Sequence, residues 1–153
     1  MKRNISNAVK TVLEALELHY SHDGCIYHFG ISDEMADFTI RIIAEEERDL
    51  LMIIGYYPVK VPEENMDTMC RAINTINYSI SVGAFVIDPE DGEIAFRIAQ
   101  NTEGGAISGD AVRMCLMQVI SHLTDNYQEV METLFGGSRM NFSFAPEKDA
   151  TLS

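Results

Sequence analysis

Histidine and cysteine recur at three-residue steps in "HYSHDGCIYH", which sets His19, His22, Cys25 and His28 close together. Imidazoles and a thiolate are zinc ligands, and four of them could close a tetrahedral site. The spacing opposes it. His19 and His22 can share a helical face, but Cys25 and His28 on one strand differ by an odd number and point to opposite sides of a sheet. Polar residues at a helix-to-strand turn are the better reading, and no metal is expected. Nucleophile elbow, P-loop and dinucleotide glycine patterns do not occur. The glycine-rich "TEGGAISGD" runs into a helix start whose backbone N–H groups could hold an anion. It lacks a P-loop lysine and reads more simply as a capped joint at Ser108. The acidic run "AEEERD" reads as a solvated turn between strands rather than a cation site. With no catalytic set and no cofactor motif, the expectation is a protein that is not an enzyme.

Amides and thioethers are the more informative residues. In "AINTINYSISVGAF" Asn74 and Asn77 stand three apart, and Asn77 falls on the apolar stripe of a helix just before a glycine and a strand. A polar side chain there needs partners, which free backbone groups at the helix exit can supply. The pair is read as structural, fixing the turn into Gly83-Ala84-Phe85. Met114 and Met117 lie off the main stripe of the last helix, so the first half of that helix is apolar over more than one face. Either this face meets a second copy or another protein, as adaptable thioethers suit, or it fills a wide core under the sheet.

These residues need elements to hold them. Ile5, Val9, Val12, Leu13, Leu16 and Tyr20 predict a helix over about Ser6 to Ser21, stopped near Asp23-Gly24. Three strand-like runs follow, "CIYHFGI", "ADFTIRIIA" and "DLLMIIGYY", as an antiparallel meander. The third is apolar on both faces, as expected for a more buried strand. Pro62, Glu63 and Glu64 open a second helix with the stripe Met66, Met69, Cys70, Ile73, Ile76 and Ile80. "GAFVIDPEDGEIAFRIAQ" is a hairpin, since proline presets one φ and Asp91-Gly92 supplies a positive-φ corner. The last helix starts after Ser108 and runs through Leu134 to Gly136-Gly137. The class is α+β: a mainly antiparallel five-stranded sheet with three helices, in the order α-β-β-β-α-β-β-α. In the tail, about 138–153, Met140, Phe142 and Phe144 alternate with polar residues, giving a short edge strand or a frayed end.

The chain of 153 residues suits one domain burying roughly 70% of its unfolded surface. Acidic residues outnumber basic ones 24 to 11 for a net charge of −13, a field that repels nucleic acid and anionic membrane. The basic start runs into an amphipathic helix rather than a signal peptide, no stretch reaches the length of a membrane span, and a cytoplasmic location is expected. Cys25, Cys70 and Cys115 fit reduced, buried thiols.

Over "INTINYSISVGAFVIDPEDGEIAFR" and the long helix "SGDAVRMCLMQVISHLTDNYQEVMETLFGG" the chain resembles the YbjN family of bacterial sensory-transduction regulators. An asparagine near the end of the middle helix, Gly-x-Phe leading into a strand, an acidic turn and an I-x-F-R strand carry the likeness. The resemblance implies a fold like that of type III secretion chaperones, small acidic proteins that are usually dimers, and a binding or regulatory role without active residues to carry over. A protein partner, a homodimer and a chaperone-like or regulatory function are therefore expected. The alternative is a small-molecule or ion sensor with a pocket between helices and sheet.

Overall fold

The stripe Ile5, Val9, Val12 and Leu13 winds the chain into α1 (Asn4–Ala15), with these four side chains buried. The computed structural model describes residues 4–104 and 106–136. Helix α1 stops earlier than its stripe predicts. Leu18 N–H reaches Leu13 O, Glu17 N–H reaches Glu14 O, and Glu17 has φ +57°, a Schellman stop with glutamate where glycine is usual. That choice of residue hides the stop from the sequence.

The freed segment makes an additional strand. β1 (Ser21–Asp23) pairs with β2 (Ile26–Ser32) through a two-residue turn at Gly24-Cys25. All three β1 residues are exposed, so no apolar alternation announces it. β3 (Asp37–Glu45) and β4 (Leu50–Lys60) complete the expected meander. A 3-10 turn (Glu63–Asn65) after Pro62 precedes α2 (Met66–Tyr78), and β5 (Ala84–Ile87) and β6 (Glu93–Asn101) form the expected hairpin. Gly92 there has φ +80°, and Asp88 and Asp91 carboxylates accept from Glu90 and Glu93 N–H. The sheet is antiparallel with the order β1-β2-β3-β4-β6-β5, six strands among the described residues where five were expected.

The helices pack on one face of this sheet. α3 (Gly109–Asp125) opens with Ser108 Oγ accepting from Ala111 N–H at 3.1 Å, as the cap predicts. It buries Val112, Leu116, Val119 and Leu123 over β4 and β6. It lies close enough that a Cβ on Gly55 would sit 2.7 Å from Val119 Cγ1, so any larger residue there would push side chains of α3 aside. The expected single last helix is broken. Asn126 Nδ2 donates to His122 O at 2.9 Å, and Tyr57 Oη donates to Leu123 O at 2.6 Å, so two carbonyls of the last turn have side-chain partners. α4 (Tyr127–Met131) and a π-helical turn (Glu132–Gly136) follow. Phe38, Tyr57, Tyr127, Phe85 and Phe96 form one ring cluster beneath. Each fully buried large side chain of this kind contributes roughly 1.5–3 kcal/mol. Met140, Phe142 and Phe144 lie outside the described residues.

Candidate interaction surfaces

Asn77 sits at the exit of α2 beside the outer edge of β5. Its Nδ2 donates to Phe85 O at 3.0 Å and its Oδ1 accepts from Phe85 N–H at 2.8 Å. One amide side chain thus pairs with both backbone groups of an edge residue, as a neighbouring strand would. Asn74 does not join it: the side chain is exposed and has no hydrogen-bond partner among the described residues. Beyond Asn77 the chain leaves Tyr78 93% exposed, and Val82 is exposed as well.

Met114 and Met117 stand one turn apart on the flank of α3, 63% and 41% exposed, while the opposite side of the helix is packed. They do not fill the core. Cys115 between them is buried, and burial pushes its thiol pKa up. The other thiols depart from the expectation of burial, since Cys70 is exposed and Cys25 is half-buried in the β1–β2 turn. The turn also corrects the strand reading of Cys25. His22 on β1 stacks on Tyr27 at 5.2 Å, His28 on β2 lies opposite Ser21, and His19 is exposed. Among the described residues no three histidines, cysteines or carboxylates are arranged to hold a metal.

The acidic turn is more than solvated. Glu46 crosses to α1, where its carboxylate accepts from Ile5 N–H at 3.2 Å and Ser6 N–H at 2.9 Å. A negative group at these free donors favours the helix start.

The face of the sheet away from α1 and α3 was not singled out from sequence. Along β4 it presents Met52, Ile54 and Tyr56, all half-buried, with Ile43 beside Met52 on β3 and Val86 on β5. Register sets Ile54 between Arg41 of β3 and Arg97 of β6. Apolar residues on both sides of β4 were the available signal, read as burial between layers. Among the described residues only one side is covered.

A shallow depression of about 550 Å³ lies where β1 begins against β2, with His19, Ser21, His28, Gly30 and Thr39 in its lining. It is at the sheet edge, not between helices and sheet.

A protein family, YbjN, described as "Putative bacterial sensory transduction regulator", matches residues 6–132. The chain belongs to the YbjN family. Among solved structures it is similar to "YbjN, a putative transcription regulator from E. coli", with TM-score 0.59 and 11% identity over 84% of this chain and 87% of that one. The HopA1-SchA chaperone-effector complex contains a chain similar to it, with TM-score 0.56 and 13% identity over 80% of this chain and 91% of that one. A chain of the ExsC-ExsE complex gives TM-score 0.55 and 10% identity over 81% and 91%. A search of curated sequences finds no match. The YbjN-family fold seen here is thus type III secretion chaperone-like, as the resemblance implies. No described helix is long and apolar enough to cross a membrane.

Proposed function

We propose that this YbjN-family protein is a non-enzymatic cytoplasmic protein, regulatory or chaperone-like, that binds another protein and self-associates as a homodimer through the α3 flank. The observation that carries the reading is the pair Met114 and Met117, side by side and largely exposed on a helix whose other side is fully packed. Leaving two large apolar side chains together in water is unfavourable, and flexible thioethers adapt to a partner surface. The family description supports a regulatory role. The similarity to a chain of a chaperone-effector complex supports protein binding.

Light scattering on wild type and on the Met114→Glu, Met117→Glu double variant, with circular dichroism to check folding, tests it. A wild-type dimer that becomes a folded monomer is expected. A wild-type monomer, or a double variant that remains dimeric, overturns self-association through this flank.

The second reading, a small-molecule sensor, draws on the depression at the start of β1, which two imidazoles and several hydroxyls line. Metabolite retained by the purified protein, with loss on His28→Ala, would favour it.

A further inference from the structure

We infer that the open face of the sheet is a docking site for an acidic amphipathic helix of a partner protein, seated along β4 between Arg41 and Arg97. An antiparallel sheet with one solvated face should present alternating polar residues on that side. β4 presents Met52, Ile54 and Tyr56 instead. The stripe is about 13 Å long at strand rise, some two helical turns.

The flanks of the stripe are basic in a protein of net charge −13. Arg41 and Arg97 both lie opposite Ile54 across the register, so their backbones are about 10 Å apart. A helix with its side chains is about 10–12 Å wide, and a guanidinium would stand along each of its sides. Neither arginine has a carboxylate partner among the described residues, whose exposed ion pairs are Arg48–Glu45 and Lys60–Asp91. Arg41 rests over the Tyr56 ring at 5.5 Å, which keeps its charge on the face. Carboxylates on the same side, Asp23, Asp37, Glu45 and Glu93, stand at strand ends; Glu93 lies near enough to Tyr56 to act on it, but none stands beside Ile54. A helix carrying an apolar stripe edged by glutamates fits this pattern: the stripe covers Met52, Ile54 and Tyr56, and charge-assisted bonds form on both flanks.

Charge decides among occupants. A second copy laid face to face would bring arginines against arginines. An anionic membrane or nucleic acid would meet the local arginines but also the field of the whole molecule. A short acidic helix feels mainly the local pair, within a Debye length of about 8 Å.

The inference rests on the protein-binding reading. It fails separately from self-association, which the α3 variants report. The probe is a synthetic 16-residue helical peptide with a leucine stripe edged by glutamates, beside a matched peptide edged by lysines. Amide chemical-shift mapping and fluorescence anisotropy read its binding. The glutamate peptide is expected to perturb residues 41, 54, 56 and 97, to bind more weakly as salt rises, and to lose at least tenfold in affinity in Arg41→Gln, Arg97→Gln. Both side chains are exposed, so the variant is expected to fold, and Ile54→Glu is a second way to block the face. No binding, shifts confined to other surfaces, equal binding of the lysine peptide at this face, or unchanged affinity in the arginine variant would each overturn the inference. So would a change in molar mass of the arginine variant, which would give the face to a second copy. Arginine-dependent binding to phosphatidylserine vesicles would give it to a membrane.

Discussion

Tyr57 joins two roles in one side chain. Its ring lies between Phe38, Tyr127 and Phe85, and its hydroxyl holds Leu123 O where α3 ends. Burial pushes its phenol pKa far above the ordinary value of 10.0, with Tyr127 and Asp125 adding to the rise. The sign follows: below pH 10 the phenol is neutral folded or unfolded, and above it the unfolded chain ionises first. Stability is therefore present below about pH 10 and is lost as pH rises. Thermal melts from pH 8 to 11 should show this alkaline fall, shallower in Tyr57→Phe. The same variant should be about 1–3 kcal/mol less stable at pH 7, because Leu123 O loses its partner. Tyr56, also raised by burial against the opposing pull of Arg41, adds to the alkaline limb, so it persists in part. At Asn77 the expected loss on substitution by alanine is also about 1–3 kcal/mol, through the two unpaired groups of Phe85. Urea denaturation measures it, and an unchanged midpoint would show that water replaces the amide. Asn74→Ala, on the exposed side, should stay within about 0.5 kcal/mol of wild type.

At the scale of elements, the start of α1 depends on a turn forty residues away. Glu46 supplies an acceptor to Ile5 and Ser6 N–H that the local sequence does not. Glu46→Ala should cost about 1 kcal/mol, within the range of lost helix caps, and Glu47→Ala, its exposed neighbour, nearly nothing. Equal midpoints for the two variants in thermal denaturation would overturn the capping role. The end of α3 has a similar origin, since Asn126 and Tyr57 each bond a carbonyl of its last turn. β4 shows the limit of periodicity. Its residues alternate between buried and half-buried, yet both sets are apolar, so pattern alone could not say which side was covered.

Across the whole molecule, helices cover one side of the sheet, and the edges are treated differently. The β5 edge is closed at Phe85 by Asn77 on α2. The β2 edge is covered by β1 only over Ile26–His28. The two proposed contact regions, the α3 flank and the open sheet face, lie on opposite sides of the sheet, so one could hold a second copy while the other holds a partner. The light-scattering and peptide experiments should then be independent, with the α3 double variant still binding the glutamate peptide within about twofold.

Several features of this protein follow from sequence because their causes are local. The stripe of α1, the Ser108 cap, the Asp91-Gly92 corner of the β5–β6 hairpin and the α+β order arise from spacing within a few residues. Asn77 was legible as a polar residue in need of backbone partners for the same reason. Tertiary structure decided what depends on distant neighbours. The polar strand β1 exists because Glu17 adopts a glycine-like conformation and β2 offers an edge. Glu46 is a cap because α1 begins beside it. The sheet register sets Arg41 and Arg97 about Ile54, and strands distant in sequence reach one row only after the chain has folded.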